Sequence, residues 1–163
     1  MRALTLAALA SFAADQASKL YIIHVLNLRT VGSVEVIDPL LNFRWAENRG
    51  VNFGLMYNDA EFMRWVLIGL AVVISAWILH WARRDQFGLW GQISAGLLVG
   101  GAAGNVVDRI AYGYVADFLN MSCCGIENPY AFNVADIGIF AGAIGLVLFT
   151  GSGKSGKAAR KDG

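Results

Sequence analysis

Apolar residues run through this chain in long stretches, and charged residues collect in the gaps between them. Residues 65–82 carry no charge, and neither do 86–107 or 137–153. Each stretch is close to the ~20 residues that a helix needs to cross about 30 Å of hydrocarbon. A fourth stretch, 3–14 continuing through 20–25, is interrupted by Asp15 and Lys19. Residues four apart share a helix face, and a span tolerates such a pair when it faces protein or water. The pattern predicts four spans, at about 3–23, 63–82, 88–109 and 133–150. The first has a rival reading as a cleaved signal peptide: Met1-Arg2, an apolar run, then Ser11-Phe12-Ala13.

Between the spans lie loops 24–61, 83–87 and 110–132. The first is long for a linker. Its β-branched Val34, Val36 and Ile37, and the run Leu40-Leu41-Asn42-Phe43-Arg44-Trp45, look strand-like. Pro39 and Asn48-Arg49-Gly50 punctuate it, so a small sheet resting on the membrane surface is expected. No internal repeat is visible, and the halves do not mirror each other as transporter repeats would. Gly96, Gly100 and Gly104 share one helix face, as do Gly138 and Gly142. Small residues at this spacing let helices approach closely, and the expectation is packing of the last two spans. Gly100-Gly101-Ala102-Ala103-Gly104 lacks the Lys-Ser/Thr of a phosphate loop.

Composition agrees with the membrane reading. Of 163 residues, 56% are hydrophobic and 15% charged, against roughly 45–50% and 25% in soluble domains. So small a soluble globule cannot hide that much apolar surface. Disorder is excluded by the same figures, and a net charge of +1 speaks against a nucleic-acid partner. Arg2, Arg83, Arg84, Lys154, Lys157, Arg160 and Lys161 fall on one side of a four-span arrangement. The positive-inside rule then places both termini in the cytoplasm and loops 24–61 and 110–132 outside. Residues 154–163 read as a basic cytoplasmic tail. Two adjacent cysteines, Cys123 and Cys124, are too few for a disulfide scaffold and have no metal-ligand spacing.

Polar residues at span boundaries are costly, so they mark candidate chemistry. Four clusters stand out: Asp15 with Lys19; residues 48–54; Asn105, Asp108, Arg109 and the nearby Asp117; and Asn133 with Asp136. All four fall near the outer face. His24 and His80 have no partners for a Ser-His-Asp set and read as boundary residues. Carboxylates remain. Two close aspartates share a proton, leaving one as base and one as acid. Such a dyad can activate water against an amide while polarising its oxygen. The bland readings are an N-cap for Asp136, a loop acid for Asp117, and ion pairing for Asp108 with Arg109. Spacing alone leaves open which two of Asp15, Asp108, Asp117 and Asp136 would form a dyad.

Five ordered motifs resemble bacterial lipoprotein signal peptidase (signal peptidase II). They are Asp15-Gln16-Ala17-Ser18-Lys19, Asn48-Arg49-Gly50-Val51-Asn52-Phe53-Gly54, Gly101-Ala102-Ala103-Gly104-Asn105-Val106-Val107-Asp108-Arg109, Val115-Ala116-Asp117-Phe118 and Phe132-Asn133-Val134-Ala135-Asp136. The resemblance implies an aspartic endopeptidase of the bacterial inner membrane that cuts diacylglyceryl-modified prolipoproteins just before the lipidated cysteine. It implies Asp117 and Asp136 as the catalytic pair. Asn48, Gly50, Asn105, Arg109, Asn133 and Ala135 become binding and positioning residues, and Asp15, Lys19 and Asp108 structural support. It implies no metal or organic cofactor, a membrane all-α four-helix bundle with a small periplasmic β-sheet, and sensitivity to globomycin. Residues 1–153 then form a single integral membrane peptidase domain, expected to be a monomer with membrane lipid and the lipid-modified prolipoprotein as partners. Val51 and Asn52 stand where small residues are often found, and Ile137 replaces a small polar residue. The competing classes are a proton or ion pathway and a non-catalytic assembly subunit.

Overall fold

In the computed structural model, which describes residues 1–50, 59–122 and 128–150, each of the four apolar stretches is a helix. Helix α1 spans Arg2–Leu20 and runs on into a π-helical turn, Tyr21–Val25. After a short α2 (Leu28–Val31) come strands β1 (Ser33–Ile37) and β2 (Leu41–Asn48). Helices α3 (Asp59–Arg84) and α4 (Leu89–Tyr112) follow, then β3 (Val115–Met121) and α5 (Val134–Thr150). The arrangement is mostly helical with one small antiparallel sheet.

Burial is distributed as a lipid-facing chain requires. Phe62, Trp65, Val73 and Trp77 on α3, and Phe140, Val147 and Leu148 on α5, are exposed. The charged Asp15, Lys19 and Asp108 are buried. Among the described residues, one helix segment, Glu61–Arg84, is long and apolar enough on its own to cross a membrane. Helix α4 is the centre of the bundle, packed against α1, α3 and α5. Its glycines explain how. A Cβ on Gly96 or Gly100 would run into the backbone carbonyl oxygens of Leu4 or Ala8, and one on Gly104 into Asp15. The row 96, 100, 104 therefore packs against α1, which corrects the expectation that it joins the last two spans. Contact with α5 is made instead by Gly101, against the Ala135 carbonyl, and from the other side by Gly142 and Gly145 against Ser94 and Leu98. Gly138 faces both Ser11 of α1 and Leu97 of α4. Close backbone approach replaces hydrophobic drive as the source of cohesion between such helices.

The sheet has the order β1-β2-β3, all antiparallel. The first two strands fall where the sequence pattern places them. The third, inside the stretch read as a loop, carries Asp117, paired opposite Ala46 of β2. The chain reaches β3 from α4 through Gly113, whose φ of +82° and N–H to Arg109 O at 3.1 Å end the helix. That left-handed C-cap conformation suits glycine, which has no Cβ to clash. Phe118 lies beneath the sheet with Ile22 and Leu28, all three almost fully buried, and meets the Phe43 ring edge-on at 6.0 Å. This cluster seats the sheet on one end of the bundle.

Candidate active site

Asp117 sits in the middle of β3 with 3% of its surface exposed. Both carboxylate oxygens accept hydrogen bonds: Oδ1 from Asn133 Nδ2 at 2.6 Å, and Oδ2 from Asn48 Nδ2 at 3.0 Å. Asn48 is oriented locally. It closes β2, and its Oδ1 accepts the N–H of Gly50 at 3.1 Å, an Asx-type turn. Gly50 has φ +85°, and a Cβ there would press on Leu67 and Met63 of α3. Burial pushes the Asp117 carboxyl up from 3.8 to about 6; the Asn133 hydrogen bond opposes this, and the nearby Asp136 charge adds to it.

Asn133 reaches Asp117 because the backbone before it joins the sheet. Phe132 exchanges hydrogen bonds with Leu119, N to O at 3.0 and 2.8 Å, and its carbonyl also accepts from Phe118 N. Asn133 is also the N-cap of α5. Its Oδ1 accepts the N–H of Asp136 at 3.0 Å, while its own N–H donates to Asp136 Oδ2 at 3.2 Å. This is a reciprocal capping box with the acid at its third helical position. The bland alternative, Asp136 as the cap, does not hold, because Asn133 takes that place. The other oxygen, Oδ1, accepts from Asn105 Nδ2 at 2.9 Å. Asn133 thus holds both aspartates at once, from the N-terminal end of a helix, where negative charge is favoured.

Beneath this pair lies a buried ionic cluster. Lys19 Nζ is 2.8 Å from Asp15 and 2.7 Å from Asp108, and it donates to Asn105 Oδ1 at 3.3 Å. Gln16 Nε2 adds bonds to both acids at 3.1 Å. Each acid also holds a backbone N–H: Asp15 Oδ1 accepts from Ala135 at 3.0 Å, and Asp108 Oδ2 from Ala116 at 3.3 Å. Those two residues immediately precede Asp136 and Asp117. The acids are therefore satisfied by an ammonium, an amide and the backbone, as buried charge requires.

Arg109 is half-buried, donates to its own helix at Asn105 O at 3.4 Å, and keeps its charge within reach of Asp136, Asp117 and Asp108. Asp136 is also half-buried. It lines an apolar groove of about 540 Å³ along α5, together with Phe132, Ile137, Ile139, Phe140, Ala141 and Ala143. Two hydrogen-bonded acids beside an apolar groove have the makings of general acid–base chemistry on an amphiphilic substrate.

The structure brings together every expected site residue that it describes: Asp117 and Asp136 with Asn48, Gly50, Asn105, Arg109, Asn133 and Ala135, and Asp15, Lys19 and Asp108 behind them. Asp108 pairs with Lys19 and not with its neighbour Arg109, as the ion-pair reading had it. His24 and His80 are exposed and stand apart from the cluster. Val51 to Gly54, Cys123, Cys124 and the tail at 154–163 lie outside the described residues. Two polar residues around the site, the half-buried Gln16 and the buried Asn120, were not singled out from sequence. Gln16 stitches Asp15 to Asp108; its place in the first motif was the available signal. Asn120 donates Nδ2 to the carbonyls of Asn128 and Tyr130 at 2.7 and 2.8 Å, folding the approach to Phe132 back onto β3.

Residues 7–151 match the family model described as Signal peptidase (SPase) II. A lipoprotein signal peptidase of Methylobacterium sp. (strain 4-46) is 42% identical over 143 residues, covering 88% of this chain and 85% of the relative. One from Aeromonas hydrophila is 40% identical over 149 residues, covering 91% and 87%. Among solved structures, a bacterial membrane enzyme determined in meso at 1.9 Å matches with a TM-score of 0.76 and 26% identity, over 98% of this chain and 94% of that one.

Proposed function

The chain belongs to the signal peptidase II family of membrane aspartic peptidases, and on that premise we propose that it removes the signal peptide from diacylglyceryl-modified prolipoproteins. The cut falls just before the lipidated cysteine, by water activated between Asp117 and Asp136. The observation that carries this reading is the double grip of Asn133, donating to one aspartate and capping the other. Two acids tied through one rigid amide share a proton more readily than they hold two charges. One then takes a proton from water while the other polarises the amide carbonyl, and as the C–N bond breaks the first passes its proton to the leaving amine.

Asn48 and Asn105 hold the carboxyl groups in place from opposite sides, and Arg109 offers a planar fork of donors to substrate carbonyls. The groove beside Asp136 is apolar enough to accept acyl chains while the scissile amide meets the acids. In this reading the four helices cross the inner membrane at about 3–23, 63–82, 88–109 and 133–150 as a single monomeric domain of residues 1–153. Both termini, with tail 154–163, are cytoplasmic, and the sheet and dyad are periplasmic. Supporting this, Trp77, Trp81 and Trp90 mark one end of the helices and Tyr112, Tyr114 and Tyr130 lie toward the other, as interfacial aromatics do. The charged cluster gathers at one depth, which suits a boundary enzyme better than a relay across the bilayer. Globomycin is expected to compete with substrate.

Purified protein in detergent, incubated with a diacylglyceryl-modified prolipoprotein, tests the proposal on a gel. Wild type should release the signal peptide, and Asp117→Asn and Asp136→Asn should not, while still folding. Cleavage by either variant at near the wild-type rate would overturn the assignment.

A further inference from the structure

We propose that Lys19 is a positioning residue that sets both the geometry and the charge of the aspartate pair. This rests on the dyad reading above. The geometric part is a matter of three bonded arms. Through Asp15, Lys19 fixes the backbone N–H of Ala135, one residue before Asp136. Through Asp108 it fixes that of Ala116, one residue before Asp117. Through Asn105 it reaches Asp136 itself: the ammonium donates to Asn105 Oδ1, and the amide of Asn105 donates onward to Asp136 Oδ1. One nitrogen atom on α1 therefore governs residues on α4, β3 and α5.

The electrostatic part follows from the chemistry of the third arm. A cation bound to an amide oxygen withdraws electron density and strengthens the amide N–H as a donor. Asn105 thus passes part of the Lys19 charge to Asp136 while keeping the ammonium out of the groove. The charge also acts on Asp117, opposing the effect of burial there. The charged groups facing the pair are Lys19 and Asp15 from α1, and Asp108 and Arg109 from α4. Beside the sheet, Glu47 is paired with both Arg49 at 2.7 Å and Arg29 of α2 at 3.3 Å, and both arginines are exposed, so water screens them. Lys19 is the fully buried cation in this set, at 3% exposure, and its field is the least screened by water. It favours ionisation of Asp117, so its loss must make that proton harder to remove.

The test is the pH dependence of kcat/KM in Lys19→Met, Lys19→Arg and Asn105→Ala. Asn105→Ala leaves Lys19 between its two acids and cuts only the link to Asp136, so it stays informative if Lys19→Met does not fold. The alkaline limb should move up by about half a pH unit or more in Lys19→Met and Asn105→Ala, and return toward wild type in Lys19→Arg. The loss should appear in kcat by about 10-fold or more, with KM within about twofold. If activity falls only in step with melting temperature and the limb stays in place in every folded variant, Lys19 is merely structural and the proposal fails. Full activity of Asp117→Asn or Asp136→Asn would instead sink the dyad, which is a separate result.

Discussion

The side-chain amide of Asn133 lies 2.6 Å from Asp117, and it cannot turn away without uncapping α5. Its oxygen is committed to the N–H of Asp136, so its N–H₂ must face Asp117. Asn133→Asp keeps the capping oxygen but replaces the donor with a third carboxyl group. We expect that variant to fold and to lose activity by about 100-fold or more, since like charges cannot share so buried a site. Asn133→Ala removes the cap as well and should cost roughly 1–2 kcal/mol of stability in addition. Parallel cleavage assays and thermal melts would separate the two effects. Equal activity of Asn133→Asp and wild type would refute the bridging role.

The pH–rate profile should carry the signature of a buried acid. With the Asp117 carboxyl raised to about 6 by burial, kcat/KM should decline on an alkaline limb near that value. The limb in kcat should lie higher, because bound substrate displaces more water. In Asp117→Asn any residual cleavage should lack this limb.

Stability should respond to the same group with a definite sign. A carboxyl whose folded value exceeds its unfolded value stabilises the fold fully below the unfolded value, and that contribution is lost as pH rises through the folded one. Asp117 moves from 3.8 to about 6, so the window is roughly pH 4 to 6, and at 1.36 kcal/mol per unit the effect is about 3 kcal/mol. Wild type should therefore lose ground to Asp117→Asn as pH rises across that window. Melting temperatures in detergent at pH 4.5 and 7 would show it, and a constant gap would contradict it.

Glycine substitutions should divide by contact. In Gly101→Ala the new methyl collides with the carbonyl of Ala135, next to Asp136, and Gly100→Ala collides with that of Ala8. Both should destabilise by about 1–3 kcal/mol, and Gly101→Ala should lose more activity than its stability loss explains. Gly69 has open space around it, so Gly69→Ala should be neutral or slightly stabilising. Melting and cleavage of the three variants side by side provide the check.

Much of this was legible in the sequence. Charge-free stretches gave the four helices, and the motifs gathered the residues that now surround Asp117 and Asp136. What escaped has physical reasons. Strand β3 is buried on both faces, from Val115 to Phe118, so it lacks the alternation that identifies half-exposed strands. Spacing told which glycines share a face but not which helix they meet, and the row from Gly96 to Gly104 met α1. Asp136 at a helix start looked like a cap; the true cap, Asn133, lies three residues earlier. The donors at Ala116 and Ala135 are backbone N–H groups, which no side-chain motif announces.

The bond from the Ala135 N–H to Asp15 joins residues 120 positions apart in the chain. It ties the first long helix to the last, beside the contact of Gly138 with Ser11. During synthesis the first three long helices can be in place while Asp136 is still unmade, and even a finished α5 is incorrectly seated until it docks beside α1. On the proposed dyad, activity therefore waits for the last helix: a chain not yet extended to Asp136 holds at most one acid of the pair and is expected to be silent toward lipoproteins passing through the same membrane.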